Sequence, residues 1–242
     1  MVNIEDIGGI ETIEEDTGKF RLENIFSKQQ ELIDKYHPIE MRSGIRLTEE
    51  CPINLHTAIG QAVIKDYAWR FTEEIGEALE AYNLHPENPS HCQEELSDAL
   101  HFLTELTIHA GYGPGFFFDN NPVGNPHRLE CMFWRALTNL REDEMVPPLL
   151  KITIRKSPTY DNLLLTSGLT LEAMAQTCNC LKNKPWKQTQ MTTDVKKFEG
   201  FLIKTWYRFI CLCIAAGLNE ETLYQFYINK NAVNKFRQRS KY

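Results

Sequence analysis

Ile64-Lys-Asp-Tyr-Ala-Trp-Arg-Phe-Thr-Glu-Glu-Ile-Gly-Glu-Ala-Leu-Glu-Ala-Tyr82 is the stretch on which the fold turns. Ile64, Tyr67, Ala68, Phe71, Ile75, Ala78, Leu79 and Tyr82 recur at helical spacing, which predicts one amphipathic helix. At about 100° per residue, Glu74 falls on the edge of the apolar stripe and Glu77 beside it, while Glu73 and Glu80 point the opposite way. His85-Pro-Glu-Asn-Pro-Ser90 then breaks the chain, and a second helix follows. Its stripe is Leu96, Ala99, Leu100, Leu103, Leu106 and Ala110, with Glu95 inside it and Asp98 on its shoulder. Unpaired buried carboxylates are costly, so four that converge require cations. Hard oxygen ligands of this kind suit Mg²⁺, which binds through carboxylates and the phosphates of a substrate. A merely solvated acidic face explains Glu73 and Glu80 but leaves Glu95 unexplained.

Helical periodicity continues outward from this pair and predicts an all-α helical bundle. A first helix reads from about Leu22 to Tyr36 and stops before His37-Pro38. Its stripe of Leu22, Ile25, Phe26, Leu32, Ile33 and Tyr36 also contains Gln29, an amide in an apolar position. Beyond the acidic helices, Gly111 to His127 is rich in Gly, Pro and Asn and reads as loop, followed by a short helix over Arg128 to Leu140. Met145 to Gly168 reads as irregular, although Lys151-Ile-Thr-Ile-Arg155 alternates like a strand. Helix resumes at Leu171 to Leu181 and again at Val195 to Ala216. Gly217 supplies a stop, and Asn219 caps a last helix through Arg239. Residues 1–242 therefore read as one all-α domain with an irregular, insertion-like segment at 111–170. The two halves echo each other: placing Ala110-Gly111 over Ala216-Gly217 sets Glu95 opposite Phe201 and Asp98 opposite Lys204.

Composition narrows the function. A chain of 242 residues with 42% hydrophobic content can bury a substantial core. The net charge of −7 argues against nucleic-acid binding, which needs a basic surface. No apolar run reaches membrane-spanning length; Phe209 to Ala216 is too short. Met1 to Thr17 is acidic and lacks the apolar core of a secretory signal. Cys178-x-Cys180 and Cys211-x-Cys213 read as thiols in a core, and seven cysteines without a tight framework fit a reducing cytoplasm.

The last helix is anomalous in the complementary sense. Leu223, Phe226 and Tyr227 define its inward face, and Lys230, Asn234 and Arg237 continue that face, flanked by Asn231. A solvated tail would carry its cations opposite the apolar stripe. Here cations and amides point where the acidic helices point, as a polyphosphate wedged between Mg²⁺ and basic side chains requires.

The string Gly217-Leu-Asn-Glu-Glu-Thr-Leu-Tyr-Gln-Phe-Tyr-Ile-Asn-Lys-Asn-Ala-Val-Asn-Lys-Phe-Arg-Gln238 resembles the C-terminal motif of the all-α dimeric dUTPases and their phage dCTPase relatives, a branch allied to the MazG-type nucleotide pyrophosphatases. Their E-x-x-E…E-x-x-D magnesium motif matches Glu74, Glu77, Glu95 and Asp98. Leu96-Ser-Asp-Ala-Leu-His-Phe102 is similar to the same family, and Lys28-Gln-Gln-Glu-Leu-Ile-Asp34 resembles the helix whose Gln approaches the pyrimidine. The resemblance implies a homodimeric, cytoplasmic pyrophosphatase that converts dUTP, and secondarily dCTP, into the monophosphate and pyrophosphate. It implies that Glu74, Glu77, Glu95 and Asp98 hold Mg²⁺, or Mn²⁺ in its place, and carry the catalysis. Gln29, Lys230, Asn231, Asn234 and Arg237 would bind the deoxynucleoside triphosphate, with Tyr67 and Trp69 near the base. Ile33 stands where uracil-specific relatives carry Asn, so base choice between dUTP and dCTP stays open. Two other readings stand beside this one. A non-catalytic helical nucleotide-binding or interaction protein would use the charges as display surface. A di-iron bundle would need two E-x-x-H units, and only Asp98-Ala-Leu-His101 approaches one, with His101 turned away from the stripe.

Overall fold

The computed structural model describes residues 21–44, 48, 50–117, 132–133, 158–184, 186 and 188–239. Among these are six α-helices and no strand: α1 Arg21–Ser43, α2 Ala58–Leu84, α3 Ser90–His109, α4 Tyr160–Cys180, α5 Val195–Ala215 and α6 Glu220–Arg239. A 3₁₀ turn, Pro114–Phe117, follows α3. The all-α bundle read from the sequence is the fold observed, and among the described residues no single helix is long and apolar enough to cross a membrane.

Local chemistry sets the helix ends. Thr57 opens α2 in an extended conformation, its hydroxyl accepting from the Gly60 amide. Asn219 and Thr222 cap α6 reciprocally: each side-chain oxygen accepts from the other's backbone N–H at 2.9 Å. α3 and α5 end alike. Gly111 (φ 91°) and Gly217 (φ 83°) take the left-handed conformation. Next to them, Tyr112 N–H reaches the Thr107 carbonyl and Leu218 N–H the Cys213 carbonyl. The positions paired by the sequence echo thus carry the same cap.

Packing is dominated by two helical hairpins, α2–α3 and α4–α5, with α3 also touching α1, α5 and α6. Trp206 of α5 is fully buried, stacks on Phe26 of α1 at 6.0 Å and donates its indole N–H to Thr107 of α3 at 2.8 Å. That one side chain ties three helices together, and its buried N–H is satisfied.

Two boundaries differ from the sequence reading. α1 continues past Pro38 to Ser43. Proline removes one hydrogen bond at an exposed place, while Glu40 beyond it is held by Arg70 of α2 at 3.2 Å. α4 begins at Tyr160, capped by Thr159, rather than at Leu171, so residues 160–170 are helix and not irregular chain. Buried Thr166, Thr170 and Thr177 mask its periodicity. Each donates its hydroxyl to a carbonyl one turn back, at 2.7–3.0 Å, and so sits in the core as a locally satisfied polar residue. Of the helix predicted at Arg128 to Leu140, only Met132 and Phe133 are described, helical and buried. The strand-like Lys151 to Arg155 lies outside the described residues.

Candidate active site

Adjacent antiparallel helices turn two i,i+3 acidic pairs into one cluster. Ligand oxygens of Glu74 and Glu77 from α2 and Glu95 from α3 lie within 4.8 Å of one another. Glu95 is buried, Glu74 half-buried and Glu77 exposed. Asp98, one turn beyond Glu95, is engaged differently: its carboxylate meets Lys230 Nζ of α6 at 2.5 Å, and Lys230 also reaches Glu94 at 3.3 Å. Of the four acidic residues, three form the tight group and the fourth joins it to α6.

The electrostatics of this cluster are set by burial and by like charge. Burial, and then the charges of Asp98, Glu77 and Glu95, push the Glu74 carboxyl up to about 8. Glu95 is raised by burial and by Asp98. Burial raises Asp98 more than its contact with Lys230 lowers it. Lys230 is depressed by burial, but Asp98 and Glu94 outweigh that and hold it charged. Several carboxylates share one low-dielectric corner with Lys230, and His91 Nδ1 lies 3.1 Å from Glu95 at its rim. The donor set is all hard oxygen and open on one side at Glu77, which fits Mg²⁺ or Mn²⁺ with room for water and substrate oxygens.

Beside the cluster lies a cleft of about 330 Å³. Glu74 and Asp98 form one side, Lys230, Asn234 and Arg237 of α6 another, and Gln29, Tyr36 and Glu40 of α1 a third. The amphipathic phase of α6 does what the sequence indicated: three polar residues continue the buried face of Leu223 and Tyr227 into one cavity. Lys235, off that phase, pairs with Glu31 of α1 instead. Asn231 is placed otherwise. It is buried and donates to the Lys28 carbonyl at 3.3 Å, joining α6 to α1 rather than lining the cleft.

Gln29 lines the cleft and is held by three protein partners. Its amide nitrogen donates to Glu105 at 3.1 Å, and its oxygen faces His101 Nδ1 at 2.8 Å and the Tyr227 hydroxyl at 3.0 Å. His101 therefore differs from its sequence reading: it is buried, stacked on Tyr227 at 4.0 Å, and lines the cleft. Helical phase misled because the side of α3 that carries His101 is covered by α1 and α6, where it meets Gln29 and Tyr227. The signal available was the common spacing of Asp98, His101 and Glu105, at i, i+3 and i+7. Sequence reasoning also missed Arg70, which lines the cleft with its guanidinium over Tyr67 and its charge paired with Glu40 and Asp66. Tyr67 itself is buried against His109, and Trp69 is exposed and bonded to Glu73, so neither lines the cleft. Ile33 is likewise a core residue and no part of the cleft wall.

Against known proteins, the family model described as dUTPase matches residues 21–242. The chain belongs to the dUTPase family. No curated protein and no solved structure matches it significantly. The match spans all six helices, so the acidic pairs of α2 and α3 and the polar face of α6 all fall within dUTPase-family sequence. Membership makes the chain a nucleoside triphosphate pyrophosphatase by family, and the Glu74, Glu77, Glu95 group is able to hold the divalent metal such enzymes use.

Proposed function

We propose that this protein hydrolyses dUTP, and less efficiently dCTP, to the monophosphate and pyrophosphate in a Mg²⁺-dependent reaction that Mn²⁺ also supports. The observation that carries the reading is the convergence of three carboxylates within 4.8 Å beside a cleft walled by Lys230, Asn234 and Arg237, in a chain of the dUTPase family. Glu74, Glu77 and Glu95 would hold the metal, with Asp98 completing the set once the substrate's phosphates draw Lys230 away. Bound there, Mg²⁺ would neutralise polyphosphate charge and make a coordinated water more acidic.

The chain's own residues supply the rest. Lys230 and Arg237 neutralise charge on the phosphates, and Asn234 donates to phosphate or sugar oxygens. Water adds its oxygen to one phosphorus of the α–β anhydride, the bond from that phosphorus to the bridging oxygen breaks, and the monophosphate and pyrophosphate separate. A carboxylate of the cluster accepts the water's proton and passes it to solvent. The enzyme would act as a homodimer, exposed Trp69 and Phe236 offering apolar surface to a second copy, in the cytoplasm. No disulfide joins the six described cysteines, which suits that compartment.

The test is a panel of dUTP, dCTP, dTTP, dATP and dGTP with Mg²⁺, following pyrophosphate release. Fastest turnover is expected on dUTP. Turnover confined to purine nucleotides would overturn the base assignment, and turnover of none would overturn the activity.

A further inference from the structure

A second group of reactive side chains has no role in the proposed hydrolysis. Cys51 lies in the segment before α2, and the Ile53 amide, two residues on, donates to the His109 carbonyl at 2.7 Å. That bond pins the segment across the end of α3, and Cys51 Sγ stands 3.7 Å from His109 Nδ1. On the other side of the ring, His109 Nε2 lies 3.7 Å from Glu105 Oε1. The Glu105 carboxylate is itself held, because its second oxygen accepts from the Gln29 amide at 3.1 Å. Thiol, imidazole and carboxylate thus stand in line as nucleophile, base and the group that orients the base. His109 is fully buried whereas Cys51 is exposed, so the thiol can be reached while its base is shielded from water. The other described cysteines differ. Cys178 is partly buried and the rest are buried, and burial pushes the thiols of Cys92 and Cys211 up to about 12 and that of Cys178 up to about 11.

Tyr67 of α2 stacks on the imidazole at 4.8 Å, and the Arg70 guanidinium lies 5.0 Å from the Tyr67 ring centre on that helix. Glu40 of α1 is 3.5 Å from the Tyr67 hydroxyl, and Glu50, beside the cysteine, accepts from the Asn54 amide at 3.2 Å. Of these charges, Glu105 is the one set against a ring nitrogen, and it favours the imidazolium. We infer that Cys51 is a reactive thiol, activated by His109 and Glu105, that takes up low-molecular-weight disulfides. The Glu105 carboxylate keeps the ring hydrogen at Nε2, so Nδ1 accepts the proton of the thiol. The thiolate attacks one sulfur of the disulfide, a new S–S bond forms as the old one breaks, and the departing thiolate takes the proton from His109 Nδ1. Protein thiol and disulfide thereby become a mixed disulfide and a free thiol. The site stands apart from the hydrolytic reading and survives its failure.

The test treats the full chain with bis(2-hydroxyethyl) disulfide, an uncharged probe, at pH 8 and pH 6, quenches with acid and locates the adducts by peptide mass mapping. An ordinary thiol reacts about 75-fold more slowly at pH 6 than at pH 8, because its thiolate fraction falls by that factor. Cys51 is expected to be modified ahead of every other cysteine and to slow by less than about tenfold over the same range. His109→Phe keeps a flat ring against Tyr67 without the base, and there Cys51 should show the full loss of an ordinary thiol. Glu105→Gln leaves the imidazole in place and should give a profile between the two. The wild-type profile needs no variant and decides the matter by itself. Adducts spread evenly over the cysteines or absent from Cys51, a wild-type rate that falls as an ordinary thiol's does, or a folded His109→Phe protein with the wild-type profile would overturn the inference.

Discussion

Replacing Glu74 by Gln should stabilise the metal-free protein progressively as pH rises from about 4.5 to about 8, and not below that range. The Glu74 carboxyl ionises near pH 8 in the folded chain against a usual 4.5, through burial and the charges of Asp98, Glu77 and Glu95. A carboxyl whose folded pKa is raised favours folding while protonated. The penalty is therefore absent below about pH 4.5, grows as pH rises, and is complete above about pH 8. At about 1.4 kcal/mol per tenfold change, the full difference approaches about 5 kcal/mol. Glu74 is only half-buried, and solvent screening reduces this to about 2 kcal/mol. For a chain of this size that corresponds to about 4–8 °C in Tm. Thermal unfolding in EDTA should show wild type and Glu74→Gln nearly equal at pH 5, with the variant ahead by that margin at pH 8. Millimolar Mg²⁺ should reverse the order, because wild type gains ligand-binding stabilisation and the variant has lost a ligand. A gap that does not change with pH in EDTA, or a variant less stable at pH 8, would refute this view of the cluster.

The α6 cations offer a contrast. Lys230→Ala and Arg237→Ala should each weaken triphosphate binding by about 1.5–3 kcal/mol, read as KM, whereas Lys235→Ala should change KM little because its partner is Glu31, outside the cleft. Two glycines of α2 should behave oppositely in denaturant titrations. A Cβ at Gly60 would lie 2.1 Å from the Asn54 carbonyl oxygen, so Gly60→Ala should destabilise by about 2–4 kcal/mol. At Gly76 nothing lies within 4 Å, and Gly76→Ala should stabilise by about 0.4–1 kcal/mol. Glu80→Gln, on the exposed side of α2, should leave turnover unchanged.

What the sequence made legible follows from where its periodicities are simple. α2, α5 and α6 carry clean apolar stripes, so the acidic residues of α2 and the cations of α6 could be placed on faces before the helices were packed. α4 hid its first half because its core positions are threonines bonded to their own helix, and hydropathy counts those as surface. The end of the cleft at Gln29 was the least legible. Gln29 stood out as an amide in an apolar stripe, but its partners Glu105, His101 and Tyr227 lie 76, 72 and 198 residues away. Helical phase fixes direction around one axis and says nothing about which helix a side chain will meet. His101 looked like a surface residue only on the premise that its own side of α3 faces solvent, and α1 and α6 cover that side.

The central claim is that the carboxylates of α2 and α3 hold the metal that hydrolysis requires, and pyrophosphate release from dUTP by Glu95→Gln tests it most directly. The substitution preserves shape at a buried position of α3, so circular dichroism should confirm an intact fold. With Mg²⁺ saturating, kcat should fall by a factor of about 100 or more, equivalent to about 3 kcal/mol in the barrier, and wild type in EDTA should be inactive. Full turnover by a folded Glu95→Gln protein, or by wild type in EDTA, would contradict the account.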